Sequence, residues 1–214
     1  MNKIIKKPFR YSYDGIVYWL IGINILVFAA GALLGRDVWN TLAYQLSMIP
    51  ARIIRDKNIW TFITYMFMHG NFTHILFNML GLFIFGLHVE RQMGSKEFLL
   101  FYLLTGALAG VFSFVYYYLF GNPVVFLMGA SGALYAVMLA YAVFFPDSII
   151  YIWGILPLRA PILVLVYTLI ALFSSIRMPN SGVAHLTHLA GFAFGWIYFS
   201  IRFGISPWRR LTRR

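Results

Sequence analysis

The stretch "FLMGASGALYAVMLA", from Phe126 to Ala140, places a serine between two glycines at the point where an apolar helix begins. Small residues in such a helix allow a second helix to approach its backbone closely. The serine among them therefore has two interpretations. It is one more small packing residue, or its hydroxyl is displayed for chemistry. Taken alone, the cluster favours packing.

The composition of the whole chain is that of an integral membrane protein. Of its 214 residues, 61% are hydrophobic and 11% are charged, and long apolar runs with few charges are typical of membrane spans. The chain has no cysteine, which excludes disulfides and thiol catalysis. The net charge of +11 is explained by basic residues at the ends of spans, so no nucleic-acid partner is expected.

Six apolar segments alternate with the charged stretches, and we predict that each is a membrane-spanning helix because lipid offers the backbone no hydrogen-bond partners. The predicted spans are Ile16–Leu34, Phe72–Val89, Phe98–Phe120, Ser131–Phe145, Ala160–Ile176 and Val183–Phe203. The fold class that follows is an all-α, polytopic six-helix bundle. It forms one domain over residues 16–203, with an N-terminal segment 1–15 before it and a basic tail 204–214 after it.

The long first connection, Gly35 to Asn71, is predicted to be an outer loop, apolar enough to lie on or partly in the outer leaflet. Twelve of the seventeen basic residues fall on the opposite side, which holds both termini. Because cytoplasmic ends of spans are enriched in Lys and Arg, we expect both termini in the cytoplasm. A compact chain of this kind fits a prokaryotic plasma membrane.

Strongly polar side chains within spans are costly and point to function. His74 and Asn78 are four residues apart at the start of the second span, hence on one helical face. His185 and His188 open the sixth span on a stripe with two glycines. At about 1.5 Å per residue, Ser131, His188 and Asn78 lie about 8 to 9 Å below the outer boundary. His74 lies about 3 Å below it, so polar groups from three spans are expected to converge.

Other interpretations of these polar residues exist. His74 alone is compatible with a polar group hydrogen-bonded to a neighbouring helix. His185 and His188 are close enough in sequence to bind a metal, but no acidic residue lies near them and no H-E-x-x-H motif occurs. We therefore expect neither a metal nor a cofactor. Glu90 and Arg91, at a span end, indicate a structural ion pair or interfacial charges.

Three pieces of the sequence together resemble the rhomboid family of intramembrane serine proteases. They are "HGNFTHILFNM", "GASGALYAV" and "HLAGFAFG", in family order on the second, fourth and sixth predicted spans. The resemblance covers roughly Trp60 to Gly195 and implies a rhomboid-like six-helix fold. Many members have Trp-Arg in the first outer loop, whereas Thr61 follows Trp60 here. The loop-bracing role of that arginine is left to Arg52 or Arg55.

The resemblance implies that Ser131 is the nucleophile and His188 its general base, with Tyr135 stacked against the histidine. No carboxylate is predicted at this depth, so a Ser–His dyad is expected instead of a triad. The implied substrates are transmembrane helices of other membrane proteins, cleaved near the outer face with membrane lipid as the surroundings. Two alternatives remain: an inactive relative that binds membrane proteins, and a small transporter, which would need polar residues along its whole depth.

The implied oxyanion hole consists of the His74 and Asn78 side chains and the Ser131 backbone N–H. Gly129 matches the glycine that begins the G-x-S-G turn. His69 matches a histidine sometimes found five residues before the oxyanion-hole histidine, and it is left outside the catalytic set. The role of the additional His185 is open.

Overall fold

The structure is a bundle of apolar helices, as the sequence predicts. The computed structural model describes residues 9–152, 154–177 and 185–212. In chain order its elements are α1 (Ile16–Leu33), α2 (Arg36–Leu46), α3 (Pro50–Asp56), α4 (Thr61–Thr64), a 3₁₀ turn (Tyr65–Phe67), α5 (Phe72–Gly81), a π-helical segment (Leu82–Gly86), α6 (Leu87–Met93), α7 (Ser95–Leu119), α8 (Ser131–Phe144), β1 (Ile149–Ile152), β2 (Leu156–Arg159), α9 (Ala160–Arg177), α10 (His185–Tyr198), a second π-helical segment (Phe199–Phe203) and α11 (Pro207–Leu211).

The predicted spans correspond to these helices, with shifts of a few residues at their ends. The second span is longer than predicted because α5, the π-helical segment and α6 form one continuous helix, Phe72–Met93. By length and composition this helix, α1 and α7 are able to cross a membrane, and α8 and α9 are shorter apolar helices. The predicted start of the sixth span, Val183, lies outside the described residues.

The long connection between α1 and α5 is folded into three short helices and a 3₁₀ turn. A two-way backbone pairing attaches it to the segment before α8: Met48 N–H donates to Leu127 C=O, and Leu127 N–H donates to Met48 C=O, both at 2.9 Å. The predicted outer loop is therefore fastened directly to the chain that leads into the G-A-S-G cluster.

Arg52 braces this loop. Its guanidinium lies over the Tyr44 ring, 3.5 Å from the ring centroid, and donates to the Tyr44 carbonyl. It also forms an ion pair with Asp56, with 2.9 Å between Nε and Oδ2. Arg55 pairs with the same carboxylate, with 2.6 Å between Nε and Oδ1, and its side chain also interacts with the Tyr44 side chain. Of the two candidates for the bracing role, Arg52 makes the more extensive link between α3 and α2, because it contacts both the ring and the carbonyl of Tyr44.

The helix α8 lies at the centre of the bundle, between α7 and α10. Ten of its fourteen residues are buried, and many of them are alanine, so its neighbours approach closely. Two glycines of α7 are also at helix contacts: Gly106 lies against Ala133 of α8, and Gly110 lies against the Tyr65 ring. Burial of α8 fixes the residues at its N-terminus relative to both flanking helices.

The contact between α8 and α10 is made backbone to backbone. A Cβ atom at Gly191 would collide with the carbonyl group of Gly132, at 3.0 Å from its carbon and closer still to its oxygen. A Cβ atom at Gly195 would fall 3.1 Å from the Ala136 Cα. The predicted glycine stripe on the sixth span is therefore an interface with α8, and only glycine fits at Gly191.

Glu90 has a different role from the predicted ion pair or interfacial charge. It is fully buried, and its carboxylate accepts the backbone N–H groups of Ile16 (2.7 Å) and Val17 (3.1 Å) and the Ser95 hydroxyl. The first N–H groups of a helix have no partner within the helix. Glu90 satisfies them for α1, so that expectation is wrong. A carboxylate contributed by another helix caps α1 from the side.

We predict that Gly191→Ala weakens the bundle, because the new methyl group meets backbone atoms that cannot rotate away. Overpacking of this kind costs about 1–3 kcal/mol in the free energy of unfolding. The matched control is Gly22→Ala on α1, where a Cβ atom meets nothing within 4 Å. Unfolding of both variants in detergent micelles checks the prediction. It is refuted if Gly191→Ala is as stable as Gly22→Ala.

Candidate active site

The serine and histidine of the predicted dyad lie within hydrogen-bonding distance. Nε2 of His188 is 2.8 Å from Oγ of Ser131, although the two residues are 57 positions apart in the chain. Ser131 is the first residue of α8 and His188 is in the first turn of α10. The close packing of these helices therefore brings the hydroxyl and the imidazole together.

The second ring nitrogen of His188 has no carboxylate beside it. Nδ1 is buried and has no hydrogen-bond partner in the described part of the chain. The ring is held instead by stacking: the Tyr135 ring lies 4.3 Å from it, centroid to centroid, with 15° between the planes. Phe192 and Tyr167 pack edge-on against Tyr135, at 4.8 Å and 5.9 Å. An aromatic stack thus sets the plane of the imidazole.

The turn before Ser131 depends on Gly129. Its φ is +116°, a region that favours glycine, and its N–H donates to the Tyr65 carbonyl at 2.9 Å. A Cβ atom there would fall 2.6 Å from Nε2 of His74, so glycine also admits the His74 ring. At the first position of α8, the Ser131 N–H has no partner within its helix. The turn leaves this donor beside the serine hydroxyl.

His74 and Asn78 lie on one face of α5, as predicted. The Asn71 side chain caps this helix by accepting the His74 N–H at 2.8 Å. The His74 ring reaches Gly129, directly before the Ala130–Ser131 pair. Asn78 is one turn further along and buried, and its amide donates to the His74 carbonyl at 2.8 Å. An amide nitrogen carries two donors, so one N–H remains beyond this bond.

Sequence reasoning left His69 aside, yet it contacts this turn. It is buried, its Nε2 accepts the Ala130 N–H at 3.5 Å, and its ring packs edge-on against His74 with 5.0 Å between centroids. Burial, and secondarily the charge of His74, lower the pKa of His69 to about 3. The neutral ring supplies the acceptor that the Ala130 N–H needs. The spacing H-x₄-H in "HGNFTH" is the signal that points to it.

Two further polar contacts on α10 were also missed. The Thr187 hydroxyl, next to the histidine of the pair, lies 2.6 Å from the Ser113 hydroxyl of α7. This hydrogen bond fixes the first turn of α10 against α7. His185 packs edge-on against His188, with 6.1 Å between ring centroids. It belongs to the surroundings of the pair and does not touch the serine in the contacts described.

Comparison with known proteins gives the family. The Rhomboid domain family model matches residues 56–205. The rhomboid protease AarA of Providencia stuartii is 30% identical, over 95% of this chain and 78% of that protein. The rhomboid protease GlpG of Haemophilus influenzae is 34% identical, over 62% of this chain and 64% of that protein.

A plant relative extends the range of the comparison. Rhomboid-like protein 16, chloroplastic, of Arabidopsis thaliana is 32% identical over 73% of this chain. The chain spans 52% of the length of that relative and 64% of the length of the Haemophilus influenzae protein. The domain match covers more than half of the chain and coincides with a bundle of apolar helices. The chain is therefore an integral, multi-pass membrane protein that belongs to the rhomboid family.

Proposed function

We propose that the protein is an intramembrane serine endopeptidase that cleaves transmembrane helices of other membrane proteins. The observation that carries the proposal is the 2.8 Å separation of His188 Nε2 and Ser131 Oγ at the end of a buried helix. A free serine hydroxyl is a weak nucleophile until an adjacent base takes its proton. Two of the relatives described above bear the name rhomboid protease, which supports the same reaction class.

In this mechanism the Ser131 hydroxyl attacks the scissile carbonyl carbon while its proton passes to His188 Nε2. The tetrahedral intermediate collapses as His188 returns that proton to the leaving amine, and an acyl-enzyme remains. A water molecule, deprotonated by the same histidine, then attacks the ester carbonyl. The Ser131 oxygen leaves and receives this proton from His188, which restores the free hydroxyl and releases the carboxylic acid product. The Tyr135 stack holds the imidazole in the orientation that both proton transfers need, in place of a triad carboxylate.

The negative charge of the tetrahedral intermediate needs donors, since an unpaired charge within a membrane is costly. We assign this role to the Ser131 N–H and to the His74 and Asn78 side chains. The position of the His74 ring against Gly129 supports the assignment. We assign the remaining amide N–H of Asn78 as the third donor.

The substrate we infer is an apolar helix whose scissile segment has unwound, because a backbone within a helix is already hydrogen-bonded to itself. The concentration of basic residues on one side supports cytoplasmic termini and a site near the outer face. We propose a prokaryotic plasma membrane as the location of this compact chain. We propose that a single domain comprises residues 16–203. An N-terminal segment, residues 1–15, precedes it and a basic tail, residues 204–214, follows it.

The proposal predicts that Ser131→Ala and His188→Ala each abolish cleavage of a transmembrane reporter by the purified protein. Each removes one partner of the proton transfer. His185→Ala is the matched control and is expected to retain substantial activity. Cleavage in detergent and in proteoliposomes is measured on gels, with thermal unfolding to establish that each variant is folded. Activity in Ser131→Ala, or an inactive wild-type protein that is folded, contradicts the proposal.

The oxyanion assignment predicts that His74→Ala and Asn78→Ala each lower kcat by about 10²–10³-fold, as is typical when one such donor is removed. KM is expected to change little, because these donors act in the transition state. Thr73→Ala, on the exposed side of the same helix turn, serves as the control and retains its activity. An Asn78→Ala variant with unchanged kcat would remove Asn78 from the oxyanion hole.

A further inference from the structure

The connection between α8 and α9 folds into an antiparallel β-hairpin of β1 and β2, in which Ile149 pairs with Arg159 and Ile152 with Leu156. The strand β2 ends at Arg159 and α9 begins at the next residue, so no linker separates them. The hairpin follows the C-terminal end of α8. A helix of fourteen residues is about 21 Å long, which places the hairpin at the end of the bundle opposite Ser131.

Both faces of this hairpin are apolar. One face, with Ile150, Ile152 and Leu158, packs against the core of the bundle. The opposite face, which we call the outer face, consists of Ile149, Tyr151, Pro157 and Arg159. An antiparallel sheet with water on one face normally has polar residues there. Arg159 is the one polar residue on the outer face, so this face is unsuited to water.

The exposure of these side chains is large. Tyr151 is 61% exposed and Ile149 is 55% exposed, and Ile155, at the turn between the strands, is 82% exposed. Apolar surface of this extent needs a nonpolar neighbour. The strand β2 passes directly into α9, an apolar helix in which Leu165 and Leu169 are also exposed. Exposed apolar side chains therefore follow one another along the chain from the hairpin into α9, a helix that we expect to face lipid.

Backbone hydrogen bonding sets the depth of the hairpin. A two-stranded sheet has free edges, and unsatisfied N–H and C=O groups are not tolerated in the hydrocarbon core. Pro157 is paired with Tyr151, and because proline has no N–H the two cannot exchange hydrogen bonds. The Pro157 nitrogen therefore points to a free edge of the hairpin, and that edge has one unsatisfied N–H group fewer. Tyr151 and Arg159 are residue types that lie at the level of lipid headgroups. The free edges of the hairpin and these two side chains both favour a position in the interfacial region of the membrane.

We propose that the β1–β2 hairpin is a membrane-binding element. Its outer face and turn lie in the interfacial region of the leaflet opposite the Ser131–His188 pair, and phospholipid covers them. The element holds that end of α9 at a fixed depth in the bilayer. This surface lies outside the candidate active site, and the inference does not depend on proteolytic activity.

The natural chain has no cysteine, so single-cysteine variants can be labelled at one position only. We place a nitroxide at Tyr151→Cys and Ile155→Cys in proteoliposomes of phosphatidylethanolamine and phosphatidylglycerol. Collision rates are measured with oxygen, which concentrates in the bilayer, and with a water-soluble nickel chelate. Leu169→Cys on α9 is the lipid-facing control, and Asp147→Cys, at the exposed acidic residue before β1, is the aqueous control.

At positions 151 and 155 we expect oxygen collisions to exceed nickel collisions, as at Leu169→Cys, whereas Asp147→Cys shows the reverse. Labels at both positions that behave like Asp147→Cys would mean that the hairpin projects into water, which overturns the proposal. Labels protected from both reagents would mean that protein covers the outer face, which overturns it equally. Because both side chains are exposed, their replacement leaves the packing of the bundle intact.

Discussion

The structure depends on the contact between α8 and α10, where the Gly132 carbonyl lies directly against Gly191. Gly132 follows Ser131 in the chain, and Gly191 is three residues after His188. The backbone contact and the 2.8 Å approach of the two side chains are therefore one feature of the fold. A helix pair separated by ordinary side chains has axes about 8–10 Å apart. Glycine at the interface permits a closer approach, and the hydroxyl and imidazole meet as a result.

A second constraint holds the turn that leads into α8. The carbonyl of Tyr65 accepts the Gly129 N–H, and His69 accepts the Ala130 N–H. Further back, Met48 and Leu127 exchange two hydrogen bonds. The long connection between α1 and α5 therefore has a structural role at the site, because its hydrogen bonds hold the backbone that leads to the serine. Changes far from Ser131 in this connection act on the geometry of the site.

Much of this arrangement was predictable because hydrophobic periodicity determines which face of a helix is buried. The spans, the glycine stripe on α10 and the common level of Ser131 and His188 all follow from spacing along single helices. Tertiary partners are different, since nothing in the spacing says that Glu90 caps α1 or that His69 accepts an N–H before Ser131. The bond from Asn78 to the His74 carbonyl was also not foreseen.

The β1–β2 hairpin was missed for another physical reason. Sequence reasoning treated the residues between the fourth and fifth spans as an inner loop, because Pro146 and Asp147 end an apolar segment there. The pattern "SIIYIWGILPLR" is apolar on both faces of a strand, so the alternation that identifies a half-buried hairpin is absent. The glycine between two short apolar runs is the signal that remains. A hairpin with two apolar faces is stable only where both meet nonpolar surroundings.

The most direct test of the coupling between helix contact and chemistry is covalent labelling of the protein by a fluorophosphonate probe, followed by mass spectrometry. Such probes react with a serine whose hydroxyl has an adjacent base. We predict that Ser131 is labelled in preference to every other serine, that labelling is lost in His188→Ala, and that Gly191→Ala slows it. The account is contradicted if Ser131 in the folded protein is unreactive, or if it is labelled equally fast when residue 191 is alanine.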